Sequence, residues 1–316
     1  MTIKPTPSAV PGAPSLGRSP SKKLWMAAIK PPMYSVAVMP ILLGAALAFY
    51  QTRLFDPARF LTFVLSAILI LAWENLSNDF FDAATGIDRN KAHSVVNLTG
   101  NRSLVFWLAT LCLLLGIAGI LSISLTQQDW TVLLLILGCC GLGYLYQGPP
   151  FRLGYLGLGE ILCFFAFGPL AVEAAYYSQA QMFTVTASGT VMIAAIILGI
   201  TTSLVLFCSH FHQIEDDLAA GKRSPIVRLG TQRSAHLLPW ICGTPFGLIL
   251  LAIGMGWFPL WSLLVLGSLP AAYGLCRHAI RYHDQPERVH NCKFIAIRFH
   301  FLSSVLLCVG LLLGAM

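Results

Sequence analysis

The sequence has few charged residues, and this scarcity excludes most classes of protein. Of its 316 residues, only 10% are charged and 56% are hydrophobic, and the mean hydropathy is +0.73. Soluble domains carry roughly 25% charged residues, and a water-soluble fold of this size cannot bury so much apolar sequence. The composition therefore excludes a soluble enzyme, a disordered chain, collagen and a coiled coil. It indicates a polytopic membrane protein.

Two further absences concern cysteine spacing and the amino terminus. The nine cysteines include no CxxC pair, and most lie in apolar runs, where a thiol behaves as a small hydrophobic group. We therefore expect neither a disulfide framework nor a zinc site. The first 30 residues lack the apolar run of a signal peptide and are rich in Pro, Ser and Lys. We interpret residues 1–30 as a disordered basic tail and residues 31–316 as the membrane domain.

Apolar runs near or above the roughly 20 residues that cross a bilayer occupy most of the remaining chain. They predict an all-α fold with nine transmembrane helices. The predicted spans are 33–50, 60–81, 103–123, 130–147, 156–177, 185–208, 236–255, 257–275 and 294–315.

The basic residues give the orientation of these helices. The net charge of +7 is also typical of nucleic-acid-binding proteins. However, nine spans with the amino terminus inside place 17 of the 20 Lys and Arg residues on the inner side and two on the outer side. This asymmetry is the positive-inside pattern. It favours an integral membrane protein and argues against a nucleic-acid partner.

The acidic residues are concentrated in two clusters near helix ends on the predicted inner, cytoplasmic side. Only 13 residues are acidic, and six of them form these clusters. The clusters comprise Asp79, Asp82 and Asp88 in the first and Glu215, Asp216 and Asp217 in the second. At helical spacing, Asn75 and Asn78 fall on the same face as the first two aspartates.

This pattern has two interpretations. Such clusters are often solvated helix ends. However, close carboxylates repel each other and need a cation, and small sets of oxygen ligands suit Mg²⁺ together with substrate phosphates. Basic residues near the clusters can contact a phosphate, so we favour a Mg²⁺–diphosphate site. The candidate substrate-binding residues are Lys91, Arg102, Lys222, Arg228, Tyr146 and Arg152. Glu160 and Glu173 are further candidates because acids inside a membrane are commonly functional.

The motifs that contain these residues resemble those of a known family. Asn78-Asp79-x-x-Asp82-x5-Asp88 is similar to the first Asp-rich motif of the intramembrane aromatic prenyltransferases of the UbiA superfamily, in particular its 1,4-dihydroxy-2-naphthoate branch. The segment from Gly221 to Gly230 is similar to the stretch that follows the second motif. Lys30-Pro31-Pro32 and the segment 155–160 also agree.

The resemblance implies a nine-helix enzyme that transfers a prenyl group from an allylic diphosphate to 1,4-dihydroxy-2-naphthoate, with loss of CO₂ and diphosphate. The segment His210–Lys222 is similar to the phylloquinone branch of oxygenic phototrophs, which implies a phytyl donor and a location in the plasma or thylakoid membrane. The implied catalytic residues are Asp79, Asp82 and Asp217, with Asn75 and Asn78 orienting ligands. The implied Mg²⁺ ligands are Asp79, Asp82, Asp88, Glu215, Asp216 and Asp217. The chain has Gln213 where many relatives have Asp, and an amide supplies no charge to a metal.

Three alternatives remain at this point. A longer polyprenyl donor would give a menaquinone precursor instead. Another acceptor, such as homogentisate or a chlorophyllide, would give a different product class. A secondary transporter also places ionisable residues in a helical bundle, although its sites are expected near the bilayer midplane.

Overall fold

The computed structural model of the chain describes residues 22–86, 93–182 and 189–316. Within these ranges the chain is all-α and has no β-strand, which confirms the predicted fold class. The α-helices are α1 (Lys22–Ile29), α2 (Tyr34–Thr52), α3 (Pro57–Thr85), α4 (Val95–Thr99), α5 (Arg102–Gln127), α6 (Thr131–Gln147), α7 (Gly159–Phe165), α8 (Ala171–Ala180), α9 (Thr190–Ser209), α10 (Ile214–Ala219), α11 (Pro225–Leu229), α12 (Thr231–Gly254), α13 (Leu269–Tyr282), α14 (Pro286–Val289) and α15 (Cys292–Ala315).

Eight helical segments of the described chain are long and apolar enough to cross a membrane, whereas the sequence predicted nine spans. These segments are Lys22–Thr52, Pro57–Thr85, Arg102–Gln127, Gly159–Ala180, Thr190–His212, Thr231–Gly254, Leu260–Tyr282 and Pro286–Ala315. The predicted fourth span corresponds to α6, which is apolar but has only 17 residues. It is short because Gly148 and the pair Pro149-Pro150 follow it directly, and proline cannot continue a helix.

The amino-terminal boundary differs from the expectation. Residues 22–29, which the composition places in the tail, form helix α1. Its Ala28 is buried in a small cluster with Val95 and Val105, against which Trp25 packs. An apolar face next to the lysines therefore docks on the bundle. Residues 1–21 lie outside the described chain.

Helix α3 is long enough to carry its polar end beyond the hydrocarbon layer. Asp56 caps its start by accepting hydrogen bonds from the backbone amides of Ala58 and Arg59, which satisfies two amides that would otherwise have no partner. Its 29 residues span roughly 43 Å at 1.5 Å per residue, against about 30 Å for the hydrocarbon core. The residues near its carboxyl end therefore lie at the membrane boundary.

Two irregular segments shape the helices that pack against α3. A π-helical turn, Ala166–Leu170, joins α7 to α8 and contains Pro169, which removes one backbone hydrogen bond. Beside it, Gly168 packs so closely on α9 that an added Cβ would lie 2.6 Å from the Ala195 carbonyl oxygen. A 3₁₀ turn, His210–His212, ends α9 and leads into the short helix α10. The second acidic cluster thus follows the end of a membrane helix.

Candidate active site

A cavity of about 830 Å³ lies between α2, α3, α6, α7 and α9. Much of its wall is apolar and includes Phe63, Ile136 and Phe167. Polar groups also line it, many from the ends of α3 and α9 and the segments that follow them. These polar residues are Lys30, Glu74, Asn75, Asn78, Asp82, His93, Tyr146, Gln147, His210, His212, Gln213, Asp216, Asp217, Lys222, His290 and Lys293.

The two acidic clusters meet through a tyrosine and a lysine. The Tyr155 hydroxyl donates a hydrogen bond to Asp82 Oδ1 at 2.9 Å and also lies 2.9 Å from Thr85 Oγ1. The Lys222 ammonium lies 6.0 Å from the centre of the Tyr155 ring and 3.4 Å from Asp217 Oδ1. Residues 135 positions apart in the sequence therefore share one charged network at the same end of the bundle.

The second cluster extends into the bundle through a histidine. His210 Nδ1 lies 3.1 Å from Asp217 Oδ2, and His210 Nε2 lies 3.6 Å from Glu160 Oε1. Asp217 is only 1% exposed. Burial alone would raise the pKa of its carboxyl group, but the hydrogen bond from His210 and the charge of Lys222 lower that pKa below its usual value. Asp217 is thus held as an oriented carboxylate.

Asp79 lies away from the cavity lining, although the sequence places it in the same motif as Asp82. Its side chain is 1% exposed, with Oδ2 accepting a hydrogen bond from the Val95 amide at 2.8 Å and Oδ1 lying 4.0 Å from the Lys30 ammonium. At about 100° per residue, Asp79 and Glu74 lie at opposite edges of the polar stripe of α3. The cavity faces the edge that carries Glu74.

The structure brings only some of the predicted substrate-binding residues to the cavity. Lys222 and Tyr146 line it. Arg228 is exposed and donates instead to the carbonyl oxygens of Arg223 and Leu156. Arg102 is exposed and stacks at 4.2 Å over the ring of Phe80.

The remaining predicted residues have varied positions. Arg152 is half-buried and is not part of the cavity lining, and its Nε is buried without a hydrogen-bond partner among the described residues. Glu215 is exposed and outside the lining, whereas the exposed Asp216 contributes to it. Asp88 and Lys91 lie outside the described residues.

Glycines hold the tyrosines of the site in position. Tyr146 packs against Gly154 and Gly159, where an added Cβ would lie 2.7 Å from its ring at either position. The loop 148–158 then docks on the segment after α10, since the Arg223 amide donates to the Tyr155 carbonyl oxygen at 2.8 Å. Gly157 has φ of +77°, and its missing side chain leaves room for the Arg223 carbonyl oxygen. The loop that carries Tyr155 is thereby fixed beside Lys222.

The sequence interpretation overlooked three charged residues of the lining. Lys293 contributes only to the topology prediction, and Lys30 only to the topology and the family resemblance, yet both line the cavity. Glu74 lies one helical turn before Asn78 and was overlooked within an apolar run. The signal that could have found it is a carboxylate inside a predicted membrane helix, which is functional more often than not.

The polar groups of this cavity fit a magnesium ion bound together with a diphosphate. Asp82 and Asp216–Asp217 supply carboxylate oxygens for the metal from two segments. Asn75 Nδ2 is buried without a hydrogen-bond partner and is a donor that suits a phosphate oxygen, not the metal. In the described ranges, no group of three His, Cys, Asp or Glu residues is arranged to hold a metal by itself. This agrees with the usual coordination of Mg²⁺, in which one or two carboxylates act with waters and substrate phosphates.

Comparisons with known proteins by sequence and by structure agree on one family. Residues 37–305 match the UbiA prenyltransferase family. The chain is 54% identical to a 2-carboxy-1,4-naphthoquinone phytyltransferase from Synechocystis sp., over 95% of this chain and 96% of that protein. It is 42% identical to the chloroplastic 2-carboxy-1,4-naphthoquinone phytyltransferase of Arabidopsis thaliana, over 93% of this chain and 78% of that protein. A solved structure of a UbiA homologue from Archaeoglobus fulgidus bound to GPP and Mg²⁺ has the same fold, with a TM-score of 0.56 and 16% identity, and the match covers 90% of this chain and 99% of that one.

Proposed function

The chain belongs to the UbiA prenyltransferase family, and we propose that it transfers a phytyl group from phytyl diphosphate to the naphthalene ring of 1,4-dihydroxy-2-naphthoate. CO₂ and diphosphate are the other products. The two phytyltransferase relatives support the phytyl donor and the carboxylated naphthalene ring system, because both are named for phytyl transfer to 2-carboxy-1,4-naphthoquinone. We propose the hydroquinone form of this acceptor because its ring is rich in electrons, whereas the quinone ring is not. The cavity supports the chemistry, since it combines a charged end with apolar walls in a membrane protein.

The charged end of the cavity binds the diphosphate. Asp82, Asp216 and Asp217 would hold Mg²⁺, whose positive charge would stabilise the diphosphate as a leaving group. Lys222 contacts the same oxygens, and it is positioned for this by Asp217 and the ring of Tyr155. Lys30 and Lys293 add positive charge to the lining. The metal-ligand role that the resemblance implies for Asp79 stays a prediction. Its position supports a different role, the orientation of Lys30.

The apolar part of the cavity holds the phytyl chain and excludes water. Exclusion of water protects an allylic carbocation from hydrolysis. The electron-rich ring of the acceptor attacks this carbon, and the ring carboxylate leaves as CO₂. The observation that carries the proposal is the network from Asp82 through Tyr155 and Lys222 to Asp217, which joins the two acidic motifs at one end of an apolar cavity. We propose that this end faces the cytoplasm, in line with the distribution of Lys and Arg.

Product analysis tests this function. Purified protein in detergent is incubated with 1,4-dihydroxy-2-naphthoate, Mg²⁺ and either phytyl diphosphate or a longer polyprenyl diphosphate, and the products are identified by mass spectrometry. We expect the decarboxylated phytyl product, and we expect none when Mg²⁺ is chelated. Prenylation of homogentisate without prenylation of dihydroxynaphthoate would contradict the acceptor, and a preference for the longer donor would contradict the phytyl assignment.

A further inference from the structure

Glu74 places a carboxylate in the cavity wall at a distance from the diphosphate end. It precedes Asp82 by eight residues on α3, which is roughly 12 Å along a helix axis. Within the described ranges, no ion pair involves Glu74, and no side-chain hydrogen bond reaches its carboxylate. Its Oε2 lies directly over Gly143 of α6, where any side chain would overlap it. Gly143 therefore leaves room for the carboxylate, which has no hydrogen-bond or ion-pair partner among the described residues.

Gln147, which also lines the cavity, supplies a second acceptor oxygen close to Glu74. It lies one turn after Gly143 on α6, and its Nε2 donates to the Glu74 carbonyl oxygen at 3.2 Å. This bond fixes the orientation of the amide, because a carbonyl oxygen accepts only from the NH₂ group. Gln147 Oε1 consequently faces away from that bond, and it has no partner although the side chain is only 2% exposed. A buried acceptor without a donor is costly.

Glu74 and Gln147 thus form a pair of hydrogen-bond acceptors that lacks donors. We infer that this pair binds the ring hydroxyl groups of the aromatic acceptor and that Glu74 removes a hydroxyl proton as the new carbon–carbon bond forms. The inference rests on the proposed function. A naphthohydroquinone has two hydroxyl donors and a quinone has none, so the site selects the reduced form of the acceptor. The same form is the nucleophilic one, because a quinone ring is poor in electrons.

Bonds, electrons and the proton are all accounted for in the reaction with Glu74 as the base. The electron pair of the allylic C–O bond leaves with the diphosphate, and a ring π pair forms the bond to the allylic carbon at the carbon that bears the carboxylate. The adjacent hydroxyl loses its proton to Glu74 and becomes a ketone. CO₂ then leaves, its bonding pair returns to the ring, and Glu74 returns the proton to the oxygen. The product is the prenylated hydroquinone, and no oxidant or reductant is consumed.

A kinetic comparison separates this role from a structural one. Glu74→Gln keeps a hydrogen-bond acceptor but removes the base, so we expect kcat with the reduced acceptor to fall about 100-fold or more. We expect KM for the diphosphate donor to change by less than about twofold. Glu287→Gln is the control for the acid-to-amide change, because Glu287 is exposed and does not line the cavity. It should retain wild-type kinetics.

A binding measurement that needs no turnover gives the second test. Trp73 lines the cavity, so quenching of tryptophan fluorescence can report occupancy. Wild-type protein should bind 1-hydroxy-2-naphthoate at least about tenfold more tightly than 2-naphthoate, which is the effect of one hydrogen bond to a charged group. Glu74→Ala should abolish this preference, and Gly143→Ala should weaken it because the new methyl group displaces the carboxylate.

The outcomes distinguish the two proposals. If wild-type protein forms no prenylated naphthoquinol, the proposed function fails. If it does, and both Glu74→Gln and Glu74→Ala retain wild-type kinetics and the hydroxyl preference, the role of Glu74 is overturned while the function stands. Prenylation of the quinone as fast as the hydroquinone, under conditions that exclude reduction, would also overturn it.

Discussion

Tyr155 connects the two acidic motifs through a single hydroxyl group. It donates to Asp82 at 2.9 Å, and its ring lies beside Lys222. Burial and the charge of Asp82 raise the pKa of the Tyr155 hydroxyl, so it stays protonated and remains a donor. Asp82 lines the diphosphate end of the cavity, and the hydrogen bond from Tyr155 helps to orient its carboxylate there.

Tyr155→Phe removes the hydroxyl and keeps the ring. A hydrogen bond to a charged group contributes about 1.5–3 kcal/mol, so we expect kcat/KM for the diphosphate donor to fall roughly tenfold to a hundredfold. Tyr144→Phe is the control, since the Tyr144 hydroxyl donates to the Pro149 carbonyl oxygen and the residue does not line the cavity. Equal losses in the two variants would show that the Asp82 contact is not specific to catalysis.

The two aspartates of the first motif have different surroundings, which predicts different effects on the metal requirement. Asp82→Asn should raise the Mg²⁺ concentration needed for half-maximal activity, because it removes a carboxylate that faces the cavity. Asp79→Asn should leave that concentration unchanged and raise KM for the diphosphate donor, because it loosens Lys30. Titration of activity with Mg²⁺ at saturating donor separates the two. A large increase in the Mg²⁺ requirement of Asp79→Asn would instead establish Asp79 as a ligand.

The role of a residue can be predicted from the sequence where it depends on spacing within one helix. It cannot be predicted where it depends on contacts between segments that are distant in the sequence. Helical spacing places Asn75, Asn78 and Asp82 on one face, and all three line the cavity. The same spacing includes Asp79, whose carboxylate instead meets the Val95 amide from another segment. The sequence likewise predicts Arg228 as a phosphate ligand, yet its guanidinium group donates a hydrogen bond to the carbonyl oxygen of Leu156, which lies 72 positions away in the sequence.

At the scale of elements, the loop 148–158 and the segment after α10 behave as one unit. The Arg223 amide donates to Tyr155, and the Arg228 side chain donates to Leu156. Their close approach requires Gly157, which is both left-handed in φ and in contact with the Arg223 carbonyl oxygen.

Substitution of Gly157 tests this docking. Gly157→Ala should lower the free energy of unfolding by roughly 1–2 kcal/mol, because alanine is strained at a left-handed φ. Its methyl group should also push the two segments apart. Gly256→Ala is the matched control, because Gly256 has φ of +72° but has open space around its Cα. Both variants should lose similar thermal stability from strain, as measured by unfolding in detergent. Only Gly157→Ala should also lose activity, and wild-type turnover in that variant would contradict a role for the docking.

The helices were predicted from the sequence more reliably than the loops between them. Long apolar runs leave few alternatives in a bilayer, since every backbone amide must be satisfied within its own helix. The start of α3 at Pro57 and its end at Thr85 extend the predicted span of 60–81 by a few residues at each end. The docking of the loop on the segment after α10 has no local signature in the sequence, because its hydrogen bonds are accepted by the backbone carbonyl groups of Tyr155 and Leu156, which any residues would provide.

At the scale of the whole molecule, the short helix α6 decides the topology. If its 17 residues cross the membrane, the chain has nine crossings and its termini lie on opposite sides. If they do not, the termini lie on the same side. The lower limit for a crossing helix is about 17 residues, and the Lys and Arg distribution favours nine crossings.

Reporter fusions in a bacterial host measure this directly. We expect GFP placed before Met1 to fluoresce in the cytoplasm and alkaline phosphatase placed after Met316 to be active outside it. Truncated phosphatase fusions after Gln128 and after Gly154 bracket α6, and only the first should be active. Activity in both would mean that α6 does not cross.

The docking of the loop onto the segment after α10 has a thermodynamic consequence for substrate recognition. The Arg223–Tyr155 backbone hydrogen bond joins the loop to the segment of Asp217, and the Tyr155 hydroxyl joins the loop to Asp82. Because all of these bonds are within the protein, the two aspartates are aligned during folding. Binding of the diphosphate then orders little of the chain, so little of its binding free energy is offset by lost conformational entropy. The headgroup alone should consequently retain much of the affinity of the full donor, and the length of the isoprenoid tail should be recognised mainly through the apolar walls.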